Sequence, residues 1–320
     1  TGYTLGPGPT LNQTLWVYDT LHDIFGPCPA VVDGVLYISG GYGFYVYALN
    51  ATTSELIWNY TRAAWISSSP TVTYGMVYFG GFDKNVTALN ATTGELVWNY
   101  TTAGWLAASS PAVVDGAVYI GGGYGNTVLA LNASTGTLVW SYPIGANVHS
   151  SPAVASGIVY VGSFDKNVYA FNTTTGDKIW NYTTGQAIFS SPAVADGIVY
   201  IGSYDQNLYA LNATTGDKIW NYTTGNWVAS SPAVANGVVY VGSYDNNVYA
   251  FNATTGGKVW NFTTGGAVSS SPAVASNGII YIGSGDNNTY ALNAQTGEKI
   301  WNYKTGGDVF SSPAVADGIV

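Results

Sequence analysis

The chain has 320 residues, 47 % hydrophobic, 15 % aromatic and only 8 % charged, against about 25 % charged in an ordinary globular domain. The hydrophobic share excludes disorder, and 8 Lys+Arg against 17 Asp+Glu, a net charge of −9, argues against nucleic acid as a partner. The single Cys28 excludes an intrachain disulfide framework. No run reaches the roughly 18 apolar residues of a membrane span, and any signal peptide is read as already removed.

The predicted elements open with a strand at Leu15-Trp16-Val17-Tyr18, which reads as the fourth strand of a unit whose first three are not before it. Seven complete units follow, at about 25–61, 67–101, 108–142, 149–183, 189–223, 229–263 and 269–304. They are marked by Pro29, Pro70, Pro111, Pro152, Pro192, Pro232, Pro272 and Pro313, and by Trp16, Trp58, Trp98, Trp140, Trp180, Trp220, Trp260 and Trp301. Self-similarity at this period is the signature of a repeat architecture.

In the fifth unit, residues 192–195 form a first strand and Asp196-Gly197 a two-residue turn that tolerates φ > 0. Residues 198–202 are a second strand, apolar on both faces, and residues 208–211 a third. Asn212-Ala213-Thr214-Thr215-Gly216 turns into a fourth strand, 218–223, where Ile219 and Trp220 point to opposite faces. The chain closes on a first strand at 311–316 and on Gly318-Ile319-Val320, inside what is elsewhere a second strand. These elements predict a single all-β domain, 1–320, a β-propeller of four-stranded antiparallel blades. Eight blades are expected, the closing one composite, 309–320 plus 14–19; seven blades is the alternative. The closing blade lacks a third strand, which reads either as a chain that stops short or as a blade completed by another molecule's strand.

The motif Ala-x-Asn-x-x-Thr-Gly-x-x-x-Trp, as at 210–220, resembles the tryptophan-docking motif of the pyrroloquinoline-quinone-type (quinoprotein-like) propeller repeat, with Asn where that family usually has Asp. The likeness spans essentially the whole chain. It implies, in the members that oxidise alcohols or sugars, a quinone on the propeller axis whose carboxylates need Arg and Lys, a Ca²⁺ with a catalytic Asp nearby, and in some a disulfide of adjacent cysteines. This chain has one arginine, Arg62, and one cysteine. Lys178, Lys218, Lys258 and Lys299 sit two residues before the motif Trp, on the outermost strand. The resemblance therefore carries the fold without the cofactor, and no cofactor is expected. Low cysteine usage and near-identical repeats are similar to secreted archaeal members.

Other chemistry is weakly signalled. His22 and His149 lie in no ligand-spaced pair and read as surface or turn residues. Ser-Ser-Pro recurs in almost every unit, so its serines read as structural. Asp83, Asp165, Asp205, Asp245 and Asp286, each two residues before Asn, read as turn residues bonding their own backbone rather than as a Ca²⁺ ring. The runs Gly40-Gly41 and Gly121-Gly122-Gly123 join strand to strand and so are not phosphate loops. No catalytic and no metal site is expected.

Fourteen Asn-x-Ser/Thr acceptors stand out. Asn59, Asn99, Asn181, Asn221 and Asn261 lie on the outer strand after the motif Trp; Asn50, Asn90, Asn132, Asn172, Asn212 and Asn252 lie in the turn between third and fourth strands; Asn12, Asn85 and Asn287 complete the set. Alternation turns the outer-strand Asn away from the neighbouring blade, where sugars would hydrate and block an edge that has few charges. Trp65, Trp105 and Trp227 lie on connections between blades, on the same face as Tyr42, Phe82, Tyr124, Phe164, Tyr204 and Tyr244 in the second-to-third turns. Such a rim suits sugar rings or an apolar protein patch, although ordinary packing between blades also explains it. The expected function is a non-catalytic, N-glycosylated, extracellular structural or interaction protein: a cell-surface, S-layer-associated or filament-forming subunit. Its expected partners are other copies of itself, other surface proteins and N-linked glycans. A carbohydrate-binding, lectin-like propeller and a degenerate quinoprotein-like enzyme are the alternatives.

Overall fold

The computed structural model describes residues 8–20, 27–40, 44–316 and 318–320. His22, Gly41 and Tyr42 lie outside the described residues, as does the start of the first predicted unit at 25. Among the described residues there are seven four-stranded sheets, each meandering in strand order from first to fourth. These are the blades of a β-propeller. Sheet 5 is typical: Ala193–Ala195, Ile198–Gly202, Asn207–Asn212 and Lys218–Thr223 pair antiparallel, with Val194 opposite Val199 and Tyr200 opposite Ala210. The Asp196-Gly197 turn takes φ of 50° and 75°, as a two-residue hairpin requires.

Among the described residues an eighth blade is not formed, and the seven sheets match the alternative expectation. Residues 14–19 carry no strand, and 309–320 show only the isolated bridge Ala316↔Ile319. The physical reason is backbone pairing: a single strand without a second and third beside it has no ladder for its N–H and C=O groups. Trp16 nevertheless keeps the anchoring role expected of it, for its Nε1 donates to Ala51 O at 3.0 Å.

The chain gathers into two compact units, Thr14–Asp165 with Tyr169–Ile179, and Lys166–Val168 and Trp180–Val320 with the residues through Gln13. The first unit contains sheets 1 to 3 and the second contains sheets 5 to 7.

Within each unit the same three contacts join one blade to the next. The first is a pincer: a second-strand Tyr and the motif Trp converge on one backbone carbonyl of the following sheet. Tyr78 Oη and Trp98 Nε1 both donate to Ala133 O (3.2 and 2.8 Å), and Tyr200 and Trp220 both donate to Ala253 O (3.0 and 2.9 Å). Tyr37 with Trp58, Tyr119 with Trp140, and Tyr240 with Trp260 repeat this on Ala91, Thr173 and Ala294. Trp180 likewise donates to Ala213 O at 3.0 Å.

The second contact is a glycine laid flat on the indole. Gly256 has φ 71°, and a Cβ there would stand 2.6 Å from Trp220 Cδ2.

The third is a relay through the repeated serines. Ser69 N donates to Ser110 Oγ and Ser110 N to Ser151 Oγ, both at 2.9 Å; Ser191, Ser231, Ser271 and Ser312 continue the pattern in the other unit. The preceding serines, such as Ser190 and Ser230, are wholly buried, and their Oγ accepts a second-strand N–H, Gly202 and Gly242 respectively. Ser-Ser-Pro is thus a packing device.

Candidate functional site

The rim aromatics are placed by backbone geometry. In sheets 2 to 7 the residue at the start of the second-to-third turn donates its N–H to a carbonyl on the connection that follows the preceding sheet. Phe82 N bonds Trp65 O (2.9 Å), Tyr124 N bonds Trp105 O (3.0 Å) and Tyr244 N bonds Trp227 O (2.9 Å). Connection ring and turn ring are therefore held side by side, blade after blade.

In the first unit the result is an unbroken row. Trp65 meets Phe82 at 5.8 Å, Phe82 meets Trp105 at 6.2 Å, and Trp105 meets Tyr124 at 5.9 Å. Tyr124 then meets His149 edge-on at 5.3 Å, and His149 stacks on Phe164 at 4.7 Å. Half of each large ring faces solvent: Trp65 is 45 %, Trp105 51 % and Tyr124 50 % exposed. In the second unit Phe189, Tyr204, Trp227 and Tyr244 form a shorter row, with Tyr204 and Trp227 stacked at 4.7 Å and 17°. Burial pushes the Tyr204 phenol up to about 12, with Tyr244 adding to the shift, so it stays neutral and serves as a ring and a hydrogen-bonding tip. All five residues expected on a ligand face, Trp65, Trp105, Trp227, Tyr204 and Tyr244, thus stand in these two rows.

His149 corrects the expectation of a surface or turn residue. It is only 8 % exposed and continues the row, at the position where Phe189 and Phe310 precede Ser-Ser-Pro in other units. That alignment was the signal for it. Burial lowers its pKa from 6.5, so the folded chain holds it neutral, whereas the unfolded chain protonates below about pH 6.5. Stability is therefore expected to fall as pH drops through that value. In urea melts, His149→Phe should remove this part of the decline.

The turn aspartates do what turn chemistry asks. Asp205 Oδ1 accepts Asn207 N (3.0 Å), while Oδ2 accepts Tyr209 Oη (2.7 Å) and Gly185 N (2.6 Å). Asp245 and Asp286 repeat this set. For Asp286, burial raises the pKa, and the bonds from Tyr290, Gly265, Asn288 and Ser284 outweigh it and lower the pKa overall. Among the described residues no three His, Cys, Asp or Glu side chains gather as metal ligands. Arg62 is 8 % exposed and pairs with Asp83, its guanidinium lying 5.1 Å from the Phe79 ring centroid. The one arginine is thus held in an ion pair with a turn aspartate.

The two sets of glycosylation acceptors differ. In the turn set, Asn212 Oδ1 accepts Thr214 N (2.9 Å) and Thr215 N (3.0 Å), and Asn50, Asn90, Asn132, Asn172 and Asn252 cap their turns in the same way. Asn293 makes this turn too, without an acceptor motif, which gives the turn Asn a structural reason to be there. In the outer set, Asn59, Asn99, Asn181, Asn221 and Asn261 are exposed on fourth strands that form the edge of each sheet. Their strand neighbours two residues earlier are exposed and apolar: Ile57, Val97, Ile179, Ile219 and Val259. Lys178, Lys218, Lys258 and Lys299 are exposed on these same strands. The sequence did not reveal a second layer. Asn221 Nδ2 and Thr223 Oγ1 both donate to Asn207 Oδ1 (3.0 and 2.7 Å), and Asn181 and Asn261 have the same partners in Asn167 and Asn247. Of the remaining three, Asn12 is exposed, and Asn85 and Asn287 are half-buried.

The family described as outer membrane protein assembly factor BamB matches residues 9–125, 104–191, 185–267 and 245–320. The chain belongs to this PQQ-type propeller repeat family. Among solved structures it is similar to BamB from Moraxella catarrhalis, at 22 % identity over 91 % of this chain and 89 % of that one, with a TM-score of 0.77. A europium-containing methanol dehydrogenase shares 16 % identity over 98 % of this chain and 84 % of that one, with a TM-score of 0.85. The computationally designed Ika8 protein shares 18 % identity over 89 % of this chain and 88 % of its own, with a TM-score of 0.78. At these identities the likeness is one of fold. No curated protein matches the chain. Among the described residues no helix is long and apolar enough to cross a membrane.

Proposed function

We propose that the chain is a non-catalytic, N-glycosylated, extracellular interaction protein, a cell-surface, S-layer-associated or filament-forming subunit. The observation that carries this reading is the fourth strand. It is the last strand of its sheet and bears an exposed Ile or Val and, two residues on, an exposed acceptor Asn in five of the seven described sheets. An exposed apolar edge with few charges is a template for aggregation unless something covers it. A glycan on Asn221 would lie beside Ile219 and do so. The family's description as an assembly factor supports a role in binding other proteins, and the structural use of Arg62, the aspartates and the serines supports a non-enzymatic one.

The test replaces the acceptor's third residue. Expressed in its own host, a Thr183→Val, Thr223→Val, Thr263→Val chain should lose sugar at Asn181, Asn221 and Asn261 and aggregate. The matching Thr→Ser chain, which keeps acceptor and hydroxyl, should stay glycosylated and soluble. Equal solubility of the two would sink the proposal.

A second reading, carbohydrate binding, is favoured by the half-exposed faces of Trp65, Trp105 and Trp227. It requires saturable binding of oligosaccharides in a calorimetric titration, reduced at least about tenfold by Trp65→Ala and by Trp227→Ala. Heats that do not saturate would leave these rows to packing or to a protein partner.

A further inference from the structure

Sheet 3 departs from the other described sheets along its fourth strand, Leu138–Pro143, at each position that carries a charge or an acceptor Asn elsewhere. Just before the strand, Thr137 stands where five sheets have Glu or Asp, and Leu138 stands where four have Lys. Ser141 replaces the Asn of all the others, and Pro143 the Thr that completes the acceptor motif in five of them. The polar cluster of Asn207, Asn221 and Thr223 in sheet 5 is lost with them, because here Thr127 pairs with Pro143 where Asn207 pairs with Thr223. Sheet 7 also lacks the acceptor motif on this strand, but it keeps the exposed Lys299 and Lys304, which guard an edge by charge.

What remains on sheet 3 is exposed and apolar. Leu138 and Val139 are about half exposed, and Ser141 and Pro143 also lie at the surface. The acceptor Asn132 lies in the turn before this strand and not on it. Neutrality extends well beyond the strand, for from residue 96 to residue 164 the only Asp, Glu, Lys or Arg is Asp115. Asp115 aside, the net charge of −9 resides in the rest of the chain. A strongly charged partner therefore finds nothing to pair with along this strand. Two copies of the chain repel each other through their like net charge, and that repulsion is least where both are neutral.

We propose that a second copy of this chain covers this strand with its own sheet 3, the two fourth strands running antiparallel about a two-fold axis. Leu138 and Val139 of each copy then pack against the other. This rests on the reading of the fourth strands as edges that need a cover, and it names the cover for a strand that bears no acceptor Asn and no charge. One surface is used twice, so the contact closes at a dimer. A single strand from each copy makes a small interface and hence a weak one.

Sedimentation velocity across a concentration series, on protein from its own host, tests this. The wild type should pass from monomer to dimer as concentration rises. Leu138→Lys gives sheet 3 the residue that sheets 4 to 7 carry at this position, so the strand tolerates it, and it should weaken dimerisation at least about tenfold by burying a charge in the contact. Leu96→Lys, the same change at the equivalent position of sheet 2, should leave dimerisation unchanged. Ser141→Asn with Pro143→Thr restores the acceptor motif of five other sheets, and this chain should gain sugar at position 141 and stay monomeric. Circular dichroism establishes that the variants fold. A wild type that stays monomeric at every concentration, or a Leu138→Lys chain that dimerises as well as Leu96→Lys, overturns the proposal. A wild-type monomer with sugar on Asn99 and Asn181 sinks this inference alone. A dimer that Leu138→Lys dissolves, with no sugar on any fourth strand, sinks the glycoprotein reading alone.

Discussion

Trp220→Ala is expected to destabilise the protein by about 3–5 kcal/mol, read as a fall in the urea midpoint with its slope unchanged. The indole is 9 % exposed in a core cluster with Val228, Val239, Val241 and Phe251 from the next blade and connection. It also lies 5.9 Å from the Tyr200 ring. Truncation removes both faces of that packing and a 2.9 Å bond to Ala253 O. Trp220→Phe is the informative control. It keeps a ring and loses the N–H, yet Tyr200 Oη still satisfies the Ala253 carbonyl, so a cost of only about 1–2 kcal/mol is expected. Equal losses from the two variants would mean that the hydrogen bond, not the packed indole, joins these blades.

The second large effect belongs to the glycine on the other side of the same contact. Gly256→Ala should cost about 2–4 kcal/mol, combining a left-handed backbone at φ 71° with a Cβ 2.6 Å from Trp220 Cδ2. Gly237→Ala separates these two causes. It has φ 73° and nothing within 4 Å, so only the backbone penalty of about 1–2 kcal/mol applies. The difference between the two variants measures the close approach of turn and indole. A difference of zero would show that the ring yields freely and that the docking motif is looser than its geometry.

How much of this was legible in the sequence depended on whether a residue's role lies inside its own repeat. Asp196-Gly197, the alternation of Ile219 and Trp220, and the exposure of Asn221 follow from strand period and turn chemistry, so they could be read directly. The Tyr200–Trp220 pincer on Ala253 could not, because its acceptor is a backbone carbonyl more than thirty residues away with no side chain to mark it. The eighth blade failed for a related reason. Trp16 has the motif's side chain and keeps the motif's bond, but a strand needs backbone partners, and counting tryptophans counts anchors, not sheets.

The rim was half legible. Trp65, Trp105 and Trp227 were recognisable as additions to the repeat, whereas their contact with Phe82, Tyr124 and Tyr204 depends on N–H bonds between connection and turn. His149 was misread because a polar residue in an aromatic position looks like surface until the units are aligned on Ser-Ser-Pro. The Asn221–Asn207–Thr223 cluster was hidden because it pairs residues of adjacent strands, and acceptor motifs are read along one strand.

The most direct measurement of the central claim is the intact mass of the chain from its native source, before and after chemical removal of sugar, with glycopeptides mapped on the fourth strands. The account predicts a large drop in mass on deglycosylation, and sugar on Asn59, Asn99, Asn181, Asn221 and Asn261. A mass that does not change, with all five of those asparagines unmodified, would contradict it.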